Sequence, residues 1–228
     1  SQLFDAISYS KGASVIRMLE QFLGPDTFQR GLQRYLSAHQ YGNARTEDLW
    51  SALEVASGQP VTSVMDSWTR QMGYPVLRVE TQEAPDHLEL VLSQERFVYD
   101  RLPEDATPES ELWRVPVRVT YDGAVEPASL LMDGRQVRLP LPGLTGEKGK
   151  AGRWFKVNPD QTGFFRVNYQ TEDWERLVPG IRSLELPASD RLGVQNDAYS
   201  LSRAGLLPVT QFLSLAQAYG NEVDASVW

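Results

Sequence analysis

With 228 residues, 41% hydrophobic and 23% charged, the chain can bury a substantial core divided among two or three units. Its 22 basic and 30 acidic residues leave a formal charge of −8, which argues against the clustered Lys and Arg needed to track nucleic acid. The absence of cysteine excludes disulfides, thiolate nucleophiles and Cys-ligated metal, and no apolar run is long enough to span a membrane. The sequence opens on SQLFDAIS and stops at EVDASVW, and reads as a piece of a longer protein.

The first 74 residues are helical in pattern. From Ser10, apolar Ala13, Ile16, Leu19 and Leu23 recur at helical spacing. Gly24-Pro25-Asp26 breaks that helix, and Asp26 is placed to cap the next, whose stripe is Phe28, Leu32, Tyr35 and Leu36. Thr46 can cap a third helix that Gly58 ends, and a fourth starts near Val61 and stops at Gly73-Tyr74-Pro75.

From Val76 the period falls to two. VLRVET, HLELVLSQ, LWRVPVRVTY, ASLLMD, QVRLPL, WFKVN and GFFRVNY read as seven strands of an antiparallel β-sandwich, with Leu90, Val115, Val117, Val119, Phe155 and Phe165 facing inward. Asp122-Gly123 and Asp133-Gly134 read as hairpin turns. The stretches 100–111 and 146–152 read as mobile loops. Helix returns after Tyr169: Thr171 can cap one helix, Asp190 precedes a second with Leu192, Ala198, Leu201 and Ala204 inward, and Pro208 opens a third bearing Phe212, Leu213 and Ala216. The fold class is a multi-domain α+β protein: helices, sandwich, helices.

Common catalytic signatures are missing. There is no G-x-S-x-G, no phosphate-cradling P-loop and no dinucleotide-binding glycine motif. The two histidines, His39 and His87, have no i, i+4 partner, so a solvated helix end and a strand start are their plain readings. Glu80, Glu83, Asp86 and Glu89 alternate as a solvent-facing charged strand surface. Lys11, Lys148 and Lys150 have equally plain readings. Trp50, Trp68, Trp113 and Trp154 are assigned to cores, and Arg191 and Asp197 to a structural ion pair or caps.

FDAISYSKGASVIRML (residues 4–19) closely resembles the segment downstream of the zinc site in M1-family (gluzincin) zinc aminopeptidases, especially their puromycin-sensitive branch. TEDLW, WTRQMGYPVL, LSQERF, LWRVPV, NPDQTGFFRVNY and DRLGVQNDAYSLSRAG follow in that family's order. The resemblance implies three regions: 1–74, the last helices of a thermolysin-like catalytic domain; 75–170, the β-sandwich; and 171–228, the start of an α-helical C-terminal domain. In that family zinc is held by H-E-x-x-H and a Glu on a following helix, and a G-A-M-E-N-like stretch binds the substrate's amine. None of these occurs in this sequence. The resemblance therefore implies zinc held by ligands outside this chain, peptide substrates, and remaining domains of the same protein as partners, with no metal ligand here.

Tyr9, by its SYSKGA context, aligns with the family tyrosine that stabilises the tetrahedral intermediate. The residue type suits that role, because a phenol keeps its proton at neutral pH and can donate to an oxygen that gains charge. Phe4 matches an aromatic that walls the pocket for the substrate's first side chain. The implied activity is removal of N-terminal residues from peptides, with this chain inactive by itself. The rival reading is a non-catalytic relative serving in protein–protein interaction. The puromycin-sensitive resemblance and the lack of cysteine point to the cytoplasm, with the bacterial periplasm as the alternative.

Overall fold

The computed structural model describes residues 6–99, 111–144 and 154–228. The chain begins with α1 (Ala6–Leu23), α2 (Pro25–Ala38), α3 (Thr46–Ser57) and α4 (Val61–Thr69). In α1 the buried residues are Val15, Met18 and Leu19, with Ile16 and Phe22 partly covered. Ala13 is exposed, contrary to expectation, because it lies two residues and about 200° from Val15 on the helical wheel. Gly24 takes a positive φ of 80° and Pro25 occupies the first helical position, so Asp26 lies inside the first turn and does not cap it. Thr46 is likewise the first helical residue of α3. The backbone N–H of Arg45, one residue earlier, donates to Asp48 Oδ2 at 2.7 Å. Gly58 ends α3 as expected, in the left-handed region at φ 67°.

Only Gly31 of α2 is fully buried; Leu36 is exposed, and Phe28, Leu32 and Tyr35 are half covered. The reason is close helix packing. A Cβ at Gly31 would lie 2.5 Å from Leu53 Cδ2 and 3.1 Å from Leu53 Cα, so α2 and α3 meet at the glycine, away from the larger side chains.

All seven expected strands are present: β1 (Pro75–Glu83), β2 (His87–Arg96), β3 (Val115–Tyr121), β4 (Ala128–Met132), β5 (Gln136–Pro142), β6 (Phe155–Val157) and β7 (Arg166–Asn168). They form two sheets, ordered β5-β2-β1-β7 and β4-β3-β6. The six residues expected to face inward are all buried, within a core that draws on both sheets. The stretches expected to be mobile loops lie almost wholly outside the described residues.

Two features depart from an all-antiparallel reading. First, β7 pairs with β1 in parallel, Val76 opposite Arg166. Hairpin signals report only neighbouring strands. Here the whole run from β2 to β6 separates the pair and serves as the crossover that a parallel pairing requires. Second, Asp133-Gly134 does not close a hairpin: β4 and β5 lie in different sheets, so these residues carry the chain across the core.

The chain ends with α5 (Thr171–Arg182), α6 (Ala188–Arg203) and α7 (Val209–Ala216). Gln170, and not Thr171, is the N-cap of α5. Ala198 and Leu201 are buried as expected, with Leu192 and Ala204 partly covered, whereas Leu213 is exposed and Leu215 takes the buried place in α7. Asp190 lies within α6 and is itself buried.

Two glycine substitutions should shift stability in opposite directions. A Cβ at Gly12 of α1 would touch nothing within 4 Å, whereas one at Gly31 strikes the wholly buried Leu53. Gly12→Ala should stabilise by up to about 1 kcal/mol through helix propensity. Gly31→Ala should cost about 1–3 kcal/mol through overpacking. Urea unfolding of the two variants beside the parent chain measures both.

Candidate active-site helix and its anchorage

Tyr9 stands near the start of α1 and is 62% exposed. The helix is held on its other sides by polar ties. Lys11 Nζ donates to the carbonyl oxygens of Gln71 (3.1 Å) and Gly73 (3.4 Å), just beyond the end of α4. Ser14 Oγ returns to the Ser10 carbonyl at 2.8 Å, and Arg17 Nη2 donates to the Asp160 carbonyl at 3.2 Å. Phe4, the expected pocket wall, lies outside the described residues, so Tyr9 is the one expected site residue with a described position.

The partner of Arg17 belongs to an unusual turn. Asn158, Asp160 and Gln161 all have positive φ (61°, 58° and 53°), a region that costs residues other than glycine on the order of 1 kcal/mol or more each. Specific bonds hold them there. Asn158 Oδ1 accepts from the Gly163 N–H at 2.7 Å, and its Nδ2 donates to the Gly163 carbonyl at 3.0 Å. The Asp160 N–H donates to Asp190 Oδ1 at 2.8 Å, which fastens the turn to α6.

Beneath the turn is a buried set of charges. Lys156, 1% exposed, donates to the carbonyls of Val157 (2.7 Å) and Asn158 (3.0 Å), with Asp190 Oδ1 at 3.6 Å. Asp197 accepts from Arg166 Nη1 and from the Val167 N–H, both at 3.1 Å. Burial pushes both carboxyls above their ordinary range, opposed by Arg166 at Asp197 and by Lys156 at Asp190. Burial pulls the Lys156 ammonium down, with Asp190 and Asp197 opposing. The Tyr169 hydroxyl accepts from the Val157 N–H at 2.9 Å, and burial raises its pKa. The four charges are two of each sign, with Lys156, Asp190 and Asp197 buried and Arg166 partly exposed, and the cluster joins α6 to β6 and β7.

Sequence reading did not single out Lys156 or Asp190 as partners. A signal was available: Asp190 and Asp197 are seven residues apart and so share a helix face, and Lys156 interrupts an otherwise apolar FKV strand. Arg191 and Asp197 each form an ion pair, but not with each other. Arg191 grips Glu222 at 2.6 and 2.7 Å, which holds the Glu222 carboxyl down at about 2.

The described residues do not fit zinc. No group of three or more His, Asp or Glu among them could hold a metal ion. His87 Nδ1 lies 2.8 Å from Asp86, and His39 Nε2 lies 4.0 Å from Asp48. Glu80, Glu83 and Asp86 are exposed on β1 and the turn after it. No helix among the described residues is long and apolar enough to cross a membrane.

Two family models match parts of the chain. Residues 1–68 match the Peptidase family M1 domain, and residues 154–228 match the ERAP1-like C-terminal domain. The chain belongs to the M1 peptidase family. Named aminopeptidases are among its relatives. They include aminopeptidase M1-A of Oryza sativa subsp. japonica (41% identical over 99% of this chain and 25% of the relative) and glutamyl aminopeptidase of Homo sapiens (38%, over 100% and 23%). Puromycin-sensitive aminopeptidase of Caenorhabditis elegans is 37% identical over 100% and 23%. The chain thus spans about a quarter of the length of the curated relatives it matches.

Burial at the start of α5 gives the chain a pH dependence. Asp173, 2% exposed, accepts from Arg176 at 2.7 Å, and its Oδ2 has no partner among the described residues. Desolvation pushes its carboxyl up to about 6. A raised folded-state pKa gives stability that is present below the unfolded value and lost as pH rises through 6. Between pH 7 and pH 5 the parent should therefore gain about 1 kcal/mol relative to Asp173→Asn. Chemical denaturation of both proteins at the two pH values checks the difference.

Proposed function

We propose that the chain is part of a longer zinc-dependent aminopeptidase that hydrolyses N-terminal residues from peptides. The observation that carries this reading is Tyr9: its SYSKGA context, its outward position and its place on a helix tied down at Lys11 and Arg17. In this reading residues 1–74 end a thermolysin-like catalytic domain. Residues 75–170 are the β-sandwich, with one parallel pair at its edge, and 171–228 begin the helical domain, within the longer stretch 154–228 that matches the ERAP1-like model.

Zinc and the general base would come from parts of the protein outside this chain, since the described residues do not fit the metal and the sequence holds no H-E-x-x-H. What the chain supplies is a hydroxyl donor. As water adds to the scissile carbonyl, its oxygen gains negative charge, and the Tyr9 O–H donates to that oxygen. The bond is stronger in the transition state than in the bound substrate, and so lowers the barrier without tightening ground-state binding. Phe4 would wall the pocket for the first side chain. The cysteine-free sequence suits the reducing cytoplasm.

In the full-length protein, Tyr9→Phe should lower kcat by about 10²–10³ with little change in KM, the loss expected for one oxyanion donor. Steady-state kinetics on a chromogenic aminoacyl substrate measures it, and an unaltered kcat would end the assignment. The 228-residue chain alone should carry no stoichiometric zinc after dialysis and cleave no such substrate. Metal analysis and a peptidase assay test both.

A further inference from the structure

We infer that Lys11 is a positioning residue for Tyr9: its ties to the Gln71 and Gly73 carbonyls set the rotation of α1 and so the aim of the phenol. The inference rests on the proposed role of Tyr9 and adds a second residue to it.

The geometry comes from the helix itself. Residues two apart on a helix lie about 200° apart, so Lys11 and Tyr9 point to nearly opposite sides of α1. Lys11 continues the stripe of Val15 and Met18, at i, i+4 and i+7, and so stands on the packed side of the helix. Tyr9 stands on the open side, where it is 62% exposed. Any turn of α1 about its axis that releases Lys11 swings Tyr9 through the same angle.

The anchor is well built. The Lys11 ammonium is half-buried and, among the described residues, donates to two main-chain carbonyls at 3.1 and 3.4 Å, with no carboxylate in the arrangement. These carbonyls belong to the segment between α4 and β1, where Gly73 holds φ at 84°. Gln71 is itself fastened, its Nε2 donating to the Leu112 carbonyl at 3.4 Å. Tyr74, the next residue, packs on Phe97 and Phe164 at ring separations of 5.5 and 5.1 Å. Lys11 thus refers the first turns of α1 to the two-sheet region. Arg17, two turns further on, refers the far end of the helix to the Asp160 turn. Two ties on one rigid rod define both its rotation and its axial position.

The test is a double-mutant cycle in the full-length protein, with kcat and KM measured on a chromogenic aminoacyl substrate. Lys11→Met should reduce kcat by up to about 100-fold, as a displacement near 1 Å does, and leave KM nearly unchanged. Lys11→Arg, which keeps a cationic donor, should recover most of the loss. In a Tyr9→Phe background, Lys11→Met should add little, because the group it aims is already gone. Normal turnover in Lys11→Met, or losses that simply multiply in the double variant, would overturn the inference while leaving Tyr9 in place. Full turnover in Tyr9→Phe alone would instead remove the reading of Tyr9, and this inference with it. Should Lys11→Met fail to fold by its melting curve, Lys11→Gln, polar but too short to reach the carbonyls, is read by the same criteria.

Discussion

The bond from the Asp160 N–H to the Asp190 carboxylate holds together the turn on which the two sheets and both sets of helices converge. Three residues in that turn sit in the left-handed region, a conformation that persists only where the surroundings enforce it. Asp190 enforces it from α6, Asn158 from within, and Arg17 from α1. The same carboxylate lies near the buried Lys156 ammonium, whose other bonds go to the carbonyls entering the turn. Close approach completes the fit. The Gln161 side chain of the turn lies against Gly193 of α6, where a Cβ would displace its amide end.

This arrangement explains why polar groups are buried where apolar packing alone would seem sufficient. Apolar contacts are tolerant of small slides and rotations, whereas a carboxylate that accepts one particular N–H is not. Gln94 provides a second example within the sheets. Buried on β2, it donates to the carbonyls of Trp113 and Gly134 at 2.8 Å and accepts the Trp113 N–H at 2.9 Å. That one side chain fixes the entry to β3 and the crossing between sheets. On its other side, Trp68 of α4 donates to the Arg114 carbonyl at 2.9 Å, tying the first helices to the same point.

Element type and order were legible in the sequence because they are written in local periodicity: 3.6 for the helices, two for the strands, and glycine at Gly58 where α3 stops; α4, expected to run to Gly73, already ends at Thr69. Pairing was less legible. The parallel β1–β7 contact and the sheet change at Asp133-Gly134 depend on residues distant in sequence, and no dipeptide signal encodes them. Helix faces were misread where packing is closest. In α2 the contact is made by Gly31, which a hydrophobicity pattern does not register, so Leu36 was credited with burial it does not have. The candidate site was legible at Tyr9 only through its SYSKGA context, since one exposed tyrosine on a helix has no distinguishing pattern. Lys11 was passed over because its partners are main-chain carbonyls, which sequence does not display.

The parallel pairing has a bearing on the order in which the fold can be assembled. β1 leaves the ribosome well before β7, and until residues 166–168 are made, one edge of β1 has no strand beside it. An open edge of this kind is a template for pairing with other chains. Its closing partner arrives only through the left-handed turn at 158–161, and that turn needs Asp190, which is made later still. The bond that fastens that turn to Asp190 can therefore form only once α6 has been made. The last strand of that sheet also rests on the same helix, the Val167 N–H of β7 donating to Asp197 at 3.1 Å.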